Sequence, residues 1–134
     1  MKENALKLFD KRINCAQAIV CAYGECYGLT QEQCLKIAAS FGGGIGKSAK
    51  HLCGIINGAL MIIGLHDSPN NDDKNKRDSM NKKIRQFMTE LENNHPSLFC
   101  KDILKENNEI NLMHSNKCRD FLIEVCNALD KLLV

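Results

Sequence analysis

Leu52-Cys53-Gly54-Ile55-Ile56-Asn57-Gly58-Ala59-Leu60-Met61-Ile62-Ile63-Gly64-Leu65 is the stretch whose reading decides the fold. Only Asn57 in it is frankly polar. A bilayer crossing needs roughly 20 apolar residues, so the stretch is too short for membrane insertion. In a soluble chain an apolar segment of this length is a helix buried on most of its sides. Gly54 and Gly58 stand four residues apart and so share one helical face. Glycine costs a helix about 1 kcal/mol against alanine. Two on one face therefore predict that another backbone packs closely there. Cys53 stands at the mouth of this central helix, just after the run Gly42-Gly43-Gly44-Ile45-Gly46.

Working outward on the N-terminal side, residues 3–9 predict a short amphipathic helix, followed by a joint at residues 11–13. Asn14 with Gln17 makes a capping-box pattern. The helix it opens carries Cys15, Ile19, Ala22 and Cys26 at core-facing spacings, with Cys21 on a different face as an ordinary small residue. Gly28 suits a C-terminal cap. Thr30 with Gln33 repeats the capping box, and Cys34, Ile37, Ala38 and Phe41 are expected to face inward from the helix that follows. The glycine run then leads into the central helix.

On the other side, residues 66–73 form a loop marked by Pro69 and the polar run Asn70-Asn71-Asp72-Asp73. Met80, Ile84, Phe87, Met88 and Leu91 predict an amphipathic helix ending near His95-Pro96. Its lysines and arginines read as a solvated face. A short helix with Cys100 is expected over 97–104, a polar connection over 106–113, and a last helix over 115–133. The inner stripe of that helix is Cys118, Leu122, Val125, Leu129 and Leu132, bordered by Cys126. No strand-like alternation of useful length occurs. The expected fold is all-α: a single compact bundle-like domain, 1–134, of five or six helices around the glycine-containing central helix.

The chain has 134 residues, a net charge of +2 and no Trp, so its core must be built from Leu, Ile, Ala, Met and Cys. The charge is too small to point to nucleic acid. The start, Met1-Lys2-Glu3-Asn4, lacks the apolar core of a signal peptide, which predicts a cytoplasmic protein. Eight cysteines then need an explanation. Cytoplasmic thiols stay reduced, so they are buried apolar side chains, metal ligands or redox thiols. No C-x-x-C occurs, and no C-x-x-C-H, so neither a zinc ribbon, a thioredoxin-type pair nor a haem attachment is signalled. Cys15, Cys53 and Cys118 each fall near the start of a predicted helix, where free amide N–H groups and the positive dipole end favour a thiolate.

Asn14-Cys15-Ala16-Gln17-Ala18, Phe41 to Gly46, Cys53-Gly54-Ile55-Ile56-Asn57-Gly58, Cys100 and Cys118 follow one another in an order that resembles the redox-active proteins described by a C-GCAxxG-C-C signature. The likeness covers nearly the whole chain. One departure is Ile55, where the motif has Ala. The resemblance implies that Cys15, Cys53, Cys100 and Cys118 are the functional set, and it leaves Cys21, Cys26, Cys34 and Cys126 as extras of this sequence. A related domain is similar to part of a dimeric cytochrome with an iron–sulfur centre, which implies a homodimer and a cluster here but no haem.

Three readings follow. In the first, the four cysteines bind an iron–sulfur cluster, or zinc as the alternative, for electron transfer or redox sensing with a redox partner protein or small-molecule electron donor. Backbone N–H groups of Gly43, Gly44 and Gly46 then approach the centre. In the second, Cys53 and Cys15 are redox thiols of a metal-free thiol–disulfide oxidoreductase, with Cys53 the thiol of lowered pKa. In the third, the cysteines are merely packed in a non-enzymatic helical binding module. Gly46-Lys47-Ser48 ends like a P-loop, but Phe41 stands where its first glycine belongs and a helix precedes it, so no nucleotide site is expected. His51 and His114 are near cysteines but read as loop residues, as do His66 and His95.

Overall fold

The structure is a computed structural model that describes residues 1–11, 13–105 and 116–134. It contains α1 (Lys2–Asp10), α2 (Cys15–Gly24), α3 (Gln31–Ala38), α4 (Gly54–Asp67), α5 (Lys74–Asn94), α6 (Cys100–Lys105) and α7 (Asn116–Leu132). The all-α, bundle-like expectation is borne out; the described residues form seven α-helices where five or six were expected, because the short helices α1, α3 and α6 each stand as separate elements. The connection expected over 106–113, Arg12 and His114 lie outside the described residues.

Local chemistry sets the helix starts where it was expected to. Asn14 Oδ1 accepts from the Gln17 N–H at 2.8 Å, and the Gln17 side chain accepts from the Asn14 N–H at 3.0 Å. Thr30 and Gln33 close the same reciprocal box at 3.1 and 2.9 Å. Each box satisfies two amide donors that a helix start would otherwise leave open. Gly28, at φ 87°, turns the chain between a single 3-10 turn (Glu25–Tyr27) and Thr30.

The central helix α4 is the hub. Ile55, Ile56, Ala59, Ile62 and Ile63 are fully buried in it. It packs on α2 along one side, on α7 along another, and on α5 towards its end. The partners supply Ile19 and Tyr23 from α2, Leu122, Val125 and Leu129 from α7, and Phe87 and Leu91 from α5. A smaller cluster of Ala16, Val20, Cys21, Cys34 and Ala38 seals α3 onto the far side of α2.

The paired glycines do what their spacing predicts. A Cβ on Gly58 would come within 3.0 Å of the Ala16 carbonyl oxygen on α2, and one on Gly54 within 2.6 Å of both the Cys15 Sγ and the Phe41 oxygen. α4 therefore touches α2 backbone to backbone at Gly58 and Ala16, while Gly54 leaves room for the Cys15 sulfur and the Phe41 carbonyl.

Several side chains stand elsewhere than expected. Cys26 is exposed, because α2 ends at Gly24 and the tighter 3-10 turn rotates Cys26 off the core face. Ile37 is 50% exposed, since α3 is seated through Cys34 and Ala38 and these turn Ile37 outward. Cys21 is the larger surprise: its face is covered by α3. His95 does follow α5 in extended backbone, but it is buried, bonded through Nε2 to Glu124 of α7 at 2.9 Å and set edge-on to Phe121. His66 lies in the last turn of α4, with Nδ1 2.9 Å from Asp67 Oδ1. Among the described residues, no helix is long and apolar enough to cross a membrane.

Gly54→Ala should destabilise the fold by about 1–3 kcal/mol, because sulfur, carbonyl and Cβ cannot share that space. Gly64→Ala, where a Cβ meets nothing within 4 Å, should gain up to about 1 kcal/mol of helix propensity. Urea unfolding of both variants checks the contrast, and equal effects would refute the close-contact account of Gly54.

Candidate redox-thiol site

Four helix beginnings each carry a cysteine, and the four follow one another as neighbours: Cys53 beside Cys15, Cys100 near both, and Cys118 near Cys100. Cys15 is the first residue of α2, Cys53 caps α4, Cys100 opens α6 and Cys118 lies in the first turn of α7. All four are buried in the main core. Amide N–H groups at a helix start are unpaired within the helix and carry the positive end of its dipole, so each position favours sulfur with anionic character.

Two devices bring these ends together. The first is the glycine contact, which drops α4 onto Cys15. The second is a short antiparallel pairing of Leu52 with Phe99. In it the Cys53 N–H donates to the Leu98 oxygen at 3.0 Å, the Cys100 N–H donates to the His51 oxygen at 2.9 Å, and the Lys101 N–H donates to the Ala49 oxygen at 2.8 Å. Cys53 and Cys100 thus emerge side by side although 47 positions separate their numbers in the chain (100 − 53).

The loop between α3 and α4 completes the site. Gly43, Gly44, Ile45, Gly46, Lys47 and Ala49 all have positive φ, between 57° and 72°. The backbone therefore winds left-handed through almost the whole glycine run. Gly43 donates its N–H to the Cys15 sulfur. Gly44 is pressed against Cys100, whose Cβ lies 2.6 Å from where a Gly44 Cβ would sit. Gly46 is exposed on the outside of the turn, its N–H given to the Ser40 oxygen at 2.8 Å. Of the three glycines expected beside the cysteines, Gly43 and Gly44 are there and Gly46 is one turn removed.

The electrostatics are asymmetric. The Cys53 thiol donates a hydrogen bond to Cys15, and this donor is the main reason why the Cys15 pKa falls to about 7. Burial opposes the fall, and N–H groups from Gly43, Ala16 and Cys15 itself support it. Cys53 is pushed well up by the same hydrogen bond, by burial and by the neighbouring Cys15 charge. Cys100 is raised to about 12 by burial, with further upward pushes from Cys15 and Cys118. The lowered thiol is therefore Cys15 and not Cys53, which corrects the expectation from sequence. Both stand at helix starts. What separates them is the direction of one S–H bond and the Gly43 N–H, and neither is visible in the chain order.

None of the eight cysteines is joined in a disulfide. Among the described residues, no three His, Cys, Asp or Glu side chains are grouped closely enough to hold a metal ion. His51 is exposed and contributes its backbone oxygen. The sequence reading missed the Leu52–Phe99 pairing, although Cys100 follows an apolar Leu98-Phe99 step that could have suggested an extended segment. It also missed Asn14, whose side chain reaches past its cap to donate to the Ala39 oxygen at 3.0 Å, tying the start of α2 to the end of α3.

The fold and site define a class: an all-helical, cysteine-rich protein with a hydrogen-bonded thiol pair at converging helix starts. The sequence profile of the family described as "Putative redox-active protein (C_GCAxxG_C_C)" matches residues 13–132, and the chain belongs to that family. No curated protein and no solved structure matches it.

Replacing Cys53 by Ala removes the S–H donor that holds the Cys15 pKa down. The midpoint of pH-dependent iodoacetamide labelling at Cys15 should then rise from about 7 toward the ordinary thiol value of about 8.5. An unchanged midpoint would show that the loop amides alone set it.

Proposed function

We propose that this protein is a thiol–disulfide redox protein whose working pair is Cys15 and Cys53. The observation that carries the reading is the hydrogen bond between these two thiols, each at a helix start and each from a different helix. Thiols in hydrogen-bond contact are within reach of a disulfide with little backbone movement. Cys15 is the more exposed of the two, at 9% against 4%, and it is the one stabilised as thiolate.

In the forward direction the Cys15 thiolate attacks one sulfur of a partner disulfide, a small molecule or a protein. The partner S–S bond breaks, its second sulfur departs as thiolate, and Cys15 carries a mixed disulfide. Cys53 then attacks the Cys15 sulfur and its proton passes to the second departing sulfur. The pair ends as a disulfide and the partner as two thiols, a transfer of two electrons and two protons. The hydrogen bond to Cys15, with burial, keeps Cys53 protonated until the mixed disulfide forms beside it. A working dithiol suits a reducing compartment such as the cytoplasm.

A second reading is favoured by a different observation: Cys100 stands within electrostatic range of the pair, and Cys118 within range of Cys100. Four cysteine thiolates have the donor chemistry for an iron–sulfur or zinc centre. Their spacing does not yet group three of them, so such a centre requires Cys100 and Cys118 to draw inward.

The test uses anaerobically purified protein, assayed first for iron, zinc and acid-labile sulfide. The metal-free fraction is then equilibrated with glutathione buffers, alkylated and digested with trypsin. A disulfide joining peptides 13–36 and 51–74 is expected, with a glutathione adduct trapped on Cys15 in the Cys53→Ser variant. Iron or zinc that is lost on Cys15→Ser substitution would establish the second reading. Cys15 and Cys53 recovered unlinked at every potential would refute the first.

A further inference from the structure

Outside that site the molecule holds a second contact between two thiols. Cys21 of α2 and Cys34 of α3 are 1% and 0% exposed and hydrogen-bonded to each other, with Cys21 donating to Cys34. The contact is shaped by a third residue. Gly24 lies one turn after Cys21 on the same face of α2, and a Cβ there would stand 2.7 Å from the Cys34 sulfur. The bare glycine is what lets the Cys34 sulfur settle against α2 beside Cys21. Both thiols belong to the small cluster that seals α3, together with Ala16, Val20 and Ala38.

The helix that carries Cys34 is weakly held. Cys34 and Ala38 are its only buried residues. An element with so little buried surface opens at a small fraction of the global unfolding free energy. Such opening gives a small oxidant access to sulfurs that the closed state hides. Cys34, the hydrogen-bond acceptor of the pair, is the sulfur better placed to react first.

We propose that Cys21 and Cys34 form a second redox pair, which a low-molecular-weight disulfide closes to a disulfide that clamps α3 onto α2. The Cys34 thiolate attacks the reagent disulfide, breaking its S–S bond and releasing one thiolate. Cys21 then attacks the Cys34 sulfur, releasing the second and giving up its proton to it. Two protein thiols become one disulfide, and the reagent takes up the two electrons and two protons as two thiols. Burial raises both thiols, Cys21 to about 11, so this pair closes more slowly than a Cys15–Cys53 pair would. The inference stands on its own contact and does not depend on the reading of Cys15 and Cys53.

The clamp bears on the first site through backbone. Gln17 Nε2 donates to the Leu35 oxygen at 2.9 Å, and Asn14 Nδ2 donates to the Ala39 oxygen at 3.0 Å. The two residues that cap the Cys15 helix are thus bonded to the helix that Cys34 would lock. The same helix leads directly into the loop that donates to Cys15.

The wild-type protein is incubated with oxidised glutathione, quenched by alkylation at intervals, and digested with trypsin together with a protease cutting after glutamate. The expected product joins fragments 13–25 and 33–36, with fragment ions placing the bond on Cys21 rather than Cys15. Amide hydrogen exchange in α3 should slow at least about tenfold in that product. Fragment 33–36 recovered as an alkylated thiol, as a persistent glutathione adduct, or joined to Cys26 or Cys53 would overturn the proposal. A 21–34 bond that leaves α3 exchange unchanged would overturn the clamp.

Discussion

The structure depends on a single close approach: the start of α4 is seated on the start of α2 with backbone against backbone at Gly58 and Ala16, and with only the Cys15 sulfur of α2 against Gly54. Gly54 makes this possible, and the Cys15 sulfur fills the space that a Cβ would take. Helix starts ordinarily face solvent or a cap, because their amides need partners. Here they are turned inward, and the partners they find are sulfur. Thiols tolerate such a place better than carboxylates would. They are small, weakly polar and comfortable in an apolar core, yet they can carry negative charge when amides are supplied. The same contact therefore fixes the packing of the hub helix and the chemical state of its neighbour.

Burial and dipoles act in opposite directions at the four cysteines, and the balance differs at each. Burial alone raises a thiol pKa. At Cys100 it prevails. At Cys15 a thiol donor and several amides reverse it. Similar positions thus yield a stabilised thiolate at Cys15 beside raised thiols at Cys53 and Cys100. That is a more specific arrangement than four equivalent sulfurs, and it follows from which sulfur receives a hydrogen bond and which gives one.

Much of this was legible in the chain. The capping boxes at Asn14 and Thr30, the buried apolar run and the meaning of Gly54 and Gly58 are local features, decided within a few residues. The converging cysteines were legible as a set only through the family likeness. What stayed hidden depends on partners distant in sequence. The pairing of Leu52 with Phe99 requires two segments that meet only in space. The outward turn of Ile37 and the covered face of Cys21 follow from how α3 is seated on α2, which the periodicity of α3 alone does not state. The order of the Cys15 and Cys53 pKa values rests on one S–H direction. Burial of His95 depends on Glu124 arriving from α7.

The left-handed loop has a further consequence. Ile45, Lys47 and Ala49 are not glycines, yet all three sit at positive φ. Side chains there cost the backbone on the order of 1 kcal/mol each. The conformation is kept by hydrogen bonds from Gly46, Lys47 and Ala49 back to Ser40, Gly42 and Gly43. The turn is in effect a drawn spring, latched by those bonds. As the temperature rises it should release before the helices part, taking the Gly43 amide away from Cys15. The tuning of the Cys15 thiol would then be lost while the helices are still packed.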